Sequence, residues 1–172
     1  MPNQLTMRAV NAADIASIQC LHDRAFGPGR YARTAYRVRE GLPLFSPLCR
    51  LAQADDILVA ALRMAPVTVG GSARVQLLGP LAVEPALKGQ GIGKALVAEA
   101  LVSAKETGEN LVLLVGDLPY YGRFGFNVAT PGRFDLGGPV DPARLLCLEL
   151  KPGALDCFQG AVRADYARAS YR

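Results

Sequence analysis

The spacing of apolar residues along this chain switches between a period of two and a period near 3.6, and the switches mark out its elements. Residues 5–10 alternate as a strand, after which Ile15, Ile18, Leu21 and Ala25 recur at helical spacing. Asn11, followed three residues later by Asp14, reads as the N-terminal cap of that helix, and Gly27-Pro28 stops it. A shorter basic helix is expected over 31–40, closed by Gly41 and Pro43. Strands over 48–54 and 57–69 flank Asp55-Asp56, and Gly70-Gly71 turns the chain into a third over 73–83. Together these strands predict an antiparallel meander.

The meander runs into the segment that organises the rest. Leu77, Leu78, Leu81, Ala82 and Val83 form an apolar run broken by Gly79-Pro80, a pair that cannot hold a regular central ladder. A bulge is expected there, with a splayed strand end beyond it. Lys88-Gly89-Gln90-Gly91-Ile92-Gly93-Lys94 follows. Ile92, Leu96, Ala100 and Ala104 then recur every four residues, with Val97 and Leu101 beside them, so a helix begins inside the glycine run. Gly108 ends it, and the fully apolar run 111–115 makes another strand. Strand, helix and strand form a βαβ unit, so 73–83 and 111–115 should lie parallel. Further strands are expected over 127–130 and 145–150, the latter as an edge strand, with 131–142 as a loop. Residues 151–172 carry no legible pattern.

A helix that starts among glycines offers unpartnered backbone N–H groups and partial positive charge, and lets an anion approach the backbone closely. Lys88 and Lys94 add full charges, and the chemistry this suits best is the grip on a pyrophosphate. Two other phosphate loops fail on the residues they need. A Walker A loop requires Gly at 88 and Ser or Thr at 95, where Lys88 and Ala95 stand. A dinucleotide fingerprint opening at Gly91-Ile92-Gly93 requires Gly or Ala at 96, where Leu96 stands.

Val83-Glu84-Pro85 and Lys88-Gly89-Gln90-Gly91-Ile92-Gly93 resemble the acyl-CoA-binding motif of the GNAT acetyltransferase superfamily, Gln/Arg-x-x-Gly-x-Gly/Ala after a strand ending in an apolar-Val-x-Pro run. The departure is Lys88 where Gln or Arg is usual, which keeps the charge and loses arginine's fork of donors. Asp117 through Phe126 resembles the second motif of the family, a short helix carrying Tyr-x-x-x-Gly-Phe, matched by Tyr121 and Gly125-Phe126. FGPGRYARTAYR, YYGRFGF and LELKPGAL together resemble one bacterial branch of predicted GNAT N-acetyltransferases. The resemblance implies one α/β domain over 1–172, of the GNAT fold. That fold has a mixed α+β sheet, mostly antiparallel and twisted, with a parallel splayed pair and flanking helices. The pantetheine arm lies in the gap.

It also implies an N-acetyltransferase that moves an acetyl group from acetyl-CoA to a primary amine of a small molecule or peptide, by direct attack in a ternary complex. A non-catalytic acyl-CoA-binding module, or an acyltransferase with a different acyl chain or a hydroxyl acceptor, stands as the alternative. Leu81, Ala82 and Val83, the turn of Lys88, Gly89, Gln90, Gly91, Ile92, Gly93 and Lys94, and Phe124 would hold the donor. The N–H of Val83 or a near neighbour would donate to the thioester carbonyl, because a splayed strand end leaves amides unpaired. Tyr121 stands at the place of the family's usual general acid and would protonate the leaving thiolate, its phenol having an ordinary pKa of about 10, above that of a thiol. Glu84 and Asp117 are the acids nearest the strand ends and the candidates for a base.

Composition narrows the partners. At 172 residues, 51% hydrophobic and 20% charged, the chain can bury a sizeable core. No run of 18 apolar residues exists to span a membrane, and the first ten residues lack the apolar stretch of a signal peptide, so a cytoplasmic protein is expected. Cys20, Cys49, Cys147 and Cys157 are widely spaced and His22 is the single histidine, which supports neither a metal site nor a Cys-His nucleophile. The cysteines read as reduced core thiols, and His22 as a packing or capping residue. A net charge of +4 with scattered Lys and Arg favours an anionic cofactor such as CoA over nucleic acid. Arg30, Arg33, Arg37 and Arg39 crowd the basic helix, and such a helix ordinarily presents a solvated face. The resemblance gives them another use, since in GNAT proteins the two early helices wall the acceptor site. Phe26, Tyr31 and these arginines would then admit an acidic or phosphate-bearing acceptor. A homodimer is common in the superfamily, although no segment here dictates one.

Overall fold

The computed structural model describes residues 4–27, 29–30 and 33–169. Strands β1 (Leu5–Ala9), β2 (Arg50–Ala54), β3 (Ile57–Val69) and β4 (Ser72–Val83) form the expected antiparallel meander. Its hairpins are tight because their turn residues accept positive φ, 49° and 65° at Asp55 and Asp56, 56° and 85° at Gly70 and Gly71. Helix α3 (Ile92–Glu106) then carries the chain to β5 (Leu111–Val115), which lies parallel to β4. The sheet is therefore mixed, with one parallel pair at its centre.

Helix α1 (Ile15–Phe26) is entered through a 3-10 turn over Ala12–Asp14. The capping box read from the sequence closes that turn. The Asn11 side chain accepts the Ala13 N–H at 2.9 Å and the Asp14 carboxylate accepts the Asn11 N–H at 2.9 Å. Arg8 holds the same carboxylate through two bonds of 2.8 Å, which pulls its pKa below the usual carboxylate range.

Successive residues of a strand point to opposite faces. Ala60, Leu62 and Met64 of β3 therefore turn to α3, which buries Leu96, Val97, Ala100 and Ala104 in the same cluster. Ala61 of β3 and Ala82 of β4 turn to α1 and surround its one buried residue, Leu21. Both faces of the sheet are covered, which is why β3 reads as a nearly continuous apolar run.

The second half of the chain departs from expectation in three places. Strand β8 (Leu145–Glu149) is interior, bonded to β5 on one side and to β6 (Asn127–Val128) on the other. Adjacent Leu146 and Cys147 are both buried, the mark of a strand covered on two faces. Within the expected loop 131–142, β7 (Phe134–Asp135) pairs with β9 (Gly160–Ala164), and β9 also pairs with Val67–Val69 of β3. β7 has only two residues, too short for periodicity to reveal, and β9, GAVRA, is as long as β1 but has a single large apolar residue, Val162. Of the cysteines, all free, Cys49 and Cys147 are buried whereas Cys20 and Cys157 are exposed, so the expectation of four core thiols holds for two.

The basic helix is shorter than expected. Helix α2 covers Thr34–Val38 only, and Arg39 caps its end. The expectation for Tyr31 lies outside the described residues. Arg30 and Arg39 are each 3% exposed, which overturns the reading of a solvated arginine face at those two positions. Arg30 can be buried because Asp23 pairs with it at 2.7 Å. Among the described residues, no helix is long and apolar enough to cross a membrane and no cluster of side chains has the makings of a metal site.

Candidate functional site

Strands β4 and β5 pair only where Val75, Gln76 and Leu77 face Leu111, Val112 and Leu113. Beyond that point they part, β4 running on to Val83 and β5 to Val115. The cause lies on the other edge of β4. Its register against β3 jumps from Leu81 opposite Leu62 to Leu78 opposite Met64, so three steps of β4 answer two of β3. Gly79-Pro80 sits in this bulge, where the sequence predicts it, and a bulge adds twist that carries the strand end away from its neighbour.

The gap exposes particular amides. Glu84 donates its N–H to the Val59 carbonyl at 2.7 Å, which makes Val83 and Ala60 a non-hydrogen-bonded pair. The N–H and carbonyl of Val83 therefore turn away from β3. By the same alternation Ala82 turns its amide to Ala61 of β3 and Leu81 turns away. With β5 gone from their side, the N–H groups of Leu81 and Val83 face the open gap.

The start of α3 closes one end of it. Gly89 and Gly91 hold φ of 80° and 85°, and Gly91 caps the helix with no side-chain bond. Ala95 makes the first helical bond, to the Gly91 carbonyl at 3.1 Å, so the N–H groups of Ile92, Gly93 and Lys94 have no partner within the helix. Lys88 and Lys94 flank them in the cleft wall. Gly93 sits at a close approach. A Cβ there would stand 2.8 Å from the Tyr120 hydroxyl and 3.4 Å from the side chains of Leu81 and Val83.

Across the gap, α4 (Leu118–Tyr121) presents two tyrosines packed edge to face, with ring centroids 4.8 Å apart. Tyr121 also packs on Phe126 at 5.9 Å. Burial, then Tyr120 and Asp117, push the Tyr121 phenol up to about 12, so it keeps its proton at any pH the protein meets. Asp117 lines the cleft and pairs with Arg144 at 3.2 Å.

The remaining wall is α2 with residues 139–141. The Thr34 hydroxyl donates to the Pro139 carbonyl at 2.6 Å and clamps the two together. Arg39 reaches across to donate to the carbonyl of Gly79 in the bulge, and lies over the Tyr36 ring at 4.8 Å. Phe26 and Arg33 complete this side. Behind it His22 packs on Phe26 at 5.8 Å, and burial, with Arg30, Arg63 and Arg39, pushes its pKa down to about 4. It is a neutral packing group at pH 7.

These walls enclose a cleft of about 1020 Å³. Leu81, Val83, Lys88, Gly89, Gly91, Ile92, Gly93, Lys94 and Tyr121 all line it. Four other residues singled out in the sequence stand off its wall. Ala82 is turned to α1 and β3, and Gln90 is exposed beyond the turn. Glu84 pairs with Arg24 at 3.0 Å, and Phe124 packs against the core and, at 6.2 Å, against Tyr120. Sequence reasoning missed Thr34, the 139–141 segment and the burial of Arg39. The one signal available for Arg39 is its spacing of three from Tyr36, which places a ring under the guanidinium. A long ligand fits such a cleft, with an anionic head at the start of α3, an arm along the free edge of β4, and a reactive end between Tyr121 and α2.

Comparison with known proteins gives consistent matches. Residues 6–129 match the family described as the acetyltransferase (GNAT) domain. An Escherichia coli K12 protein named uncharacterized N-acetyltransferase YhbS is 34% identical over 119 residues, 67% of this chain and 70% of that protein. The crystal structure of E. coli YhbS in complex with CoA superposes with a TM-score of 0.79 at 26% identity, covering 98% of this chain and 94% of the other. A GNAT family acetyltransferase from Brucella melitensis, in complex with acetyl-CoA, gives 0.71 at 27% identity, over 96% and 98% of the two chains.

Proposed function

Because the chain belongs to the GNAT acetyltransferase family, we propose that it transfers an acetyl group from acetyl-CoA to the primary amine of a second substrate held beside it in the cleft. The observation that carries this reading is the pairing of two backbone features. The N–H groups of Leu81 and Val83 face a gap that β5 has left, and the uncapped start of α3 lies next to it. The relatives solved with CoA and acetyl-CoA share this fold over nearly the whole chain.

The thioester brings an acyl group already activated toward amines; the chain's own residues orient it and manage charge. The N–H groups of Ile92, Gly93 and Lys94, with the Lys88 and Lys94 ammoniums, hold the pyrophosphate. Val83, nearer to that turn, holds the arm. Leu81 lies two residues closer to the bulge, so its N–H is the donor to the carbonyl oxygen as negative charge develops there. Tyr121 gives its proton to the departing sulfur as the C–S bond breaks; because the phenol is the weaker acid, that transfer is uphill in itself, and the phenolate takes a proton back from solvent. Glu84 stands off the cleft wall, which leaves Asp117, on the wall and exposed beside Arg144, as the carboxylate placed to take the amine's proton through water.

Calorimetric titration with acetyl-CoA, followed in the same sample by thiol release with a panel of amines, tests the reading. Binding and amine-dependent release are expected. Binding without release from any amine would shift the protein to an acyl-CoA-binding module, and no binding would remove the role given to residues 88–94.

A further inference from the structure

Resting on the transferase reading above, we propose that the acceptor is a short amino carboxylate of the amino-acid class, and that Arg39 receives its carboxylate. Arg39 is 3% exposed and lines the cleft. Its Nη1 donates to the Gly79 carbonyl, while its buried Nε has no hydrogen-bond partner among the described residues. No carboxylate pairs with it among those residues either. Arg30 makes the contrast plain, being equally buried but matched to Asp23 at 2.7 Å.

A guanidinium taken out of water without a counter-charge is costly, and neither acid lining the cleft pairs with Arg39. Asp117 pairs with Arg144, and Asp141 accepts the Ala143 N–H at 3.0 Å. Burial and the neighbouring Arg63 push the Arg39 guanidinium down to about 9, which leaves it cationic at neutral pH. The missing charge is one negative unit, beside a guanidinium that lies over the Tyr36 ring. A carboxylate supplies that charge and matches the planar fork of an arginine.

Position sets the length of the acceptor. Gly79, which Arg39 touches, lies two residues along β4 from Leu81, the donor assigned to the thioester carbonyl. Two residues of regular strand span roughly 7 Å, an upper bound across the bulge. An amine and a carboxylate separated by only a few bonds bridge that span, with the amine at the thioester and the carboxylate at Arg39.

The test separates binding from turnover. The CoA-saturated protein is titrated calorimetrically with N-acetylglycine, N-acetylalanine and N-acetylphenylalanine, and with the three matching carboxamides. At least one acid is expected to bind tenfold or more tighter than its amide. Arg39→Gln should erase that preference with acetyl-CoA affinity unchanged, and Arg39→Lys, which keeps the charge and loses the fork, should restore part of it. The acid-to-amide ratio of the unsubstituted protein needs no variant, so a misfolded Arg39→Gln leaves the test intact. Equal binding of acids and amides, or binding of neither, overturns the proposal. Thiol release is then followed with glycine, alanine and phenylalanine against their amides. Arg39-dependent binding of the acids without release from the amino acids would keep the carboxylate site at Arg39 and remove the transferase reading, and with it the role of acceptor. Equal kcat/KM for amino acids and amides would do the reverse.

Discussion

Along the β4–α3 wall of the cleft the hydrogen-bond donors are mainly backbone amides, those of Leu81, Val83 and the first turn of α3, with the ammoniums of Lys88 and Lys94 beside them, whereas on the α2 wall they are side chains, Thr34, Tyr36 and Arg39. The difference decides how each wall can change. Amides are fixed by register and by where a helix starts, so almost any sequence with the right glycines presents the same donors. Side chains on a five-residue helix are free to be replaced one at a time. A fold used for one donor and many acceptors would be divided in this way.

The largest expected effect falls where the walls meet. Tyr121→Phe removes the proton given to the sulfur and should lower kcat by about 100-fold in steady-state assays, with acetyl-CoA affinity unchanged by calorimetry. An unchanged kcat would take Tyr121 out of the chemistry. Because burial holds the phenol near 12, no alkaline loss of kcat traceable to Tyr121 should appear below about pH 10.

Gly93→Val tests the backbone wall. Its branched side chain must displace the Tyr120 hydroxyl and crowd Leu81 and Val83, so acetyl-CoA affinity should fall by at least about tenfold, roughly 1.4 kcal/mol, and Tm by a few degrees. Retained affinity would mean that the two walls can separate without loss of the donor site.

Acid should act on the other wall. The folded-state pKa of His22 lies near 4, below its unfolded value of about 6.5, so the unfolded chain binds more protons between those values. Its stabilising contribution is present above pH 6.5 and declines as the pH falls toward 4, by about 2 kcal/mol in thermal unfolding. His22→Gln should flatten that decline. If it does not, burial, with the arginines beside it, does not hold His22 neutral in the folded protein.

The smallest effect expected is at Thr34. Thr34→Val deletes the bond to Pro139 and should cost about 1 kcal/mol of stability. It should raise acceptor KM severalfold without touching acetyl-CoA affinity. Equal changes in both would show that α2 and the donor wall are coupled.

The same division explains what could be read from the sequence. Glycine spacing at 89, 91 and 93, the bulge pair Gly79-Pro80 and the period of α3 are local signals, and each found its place in the structure. Thr34 gave no such signal and Arg39 only its spacing from Tyr36, because what matters about them is contact with Pro139 and Gly79, 105 and 40 residues away. Arginines in a short polar helix look solvated until the rest of the fold covers them. β7, two residues long, and β9 have pairing partners but no period of their own.

Strand β9 also sets the order in which the molecule can be finished. Val67–Val69 of β3 lies beyond the reach of β2, and its free edge is closed only by residues 162–164. During synthesis the meander and the βαβ unit leave the ribosome well before that segment. For that interval the far half of the longest strand offers an unpaired apolar edge, the feature through which nascent chains join one another. A stop codon shortly before Gly160 would therefore spare every residue lining the cleft and yield a protein prone to aggregate.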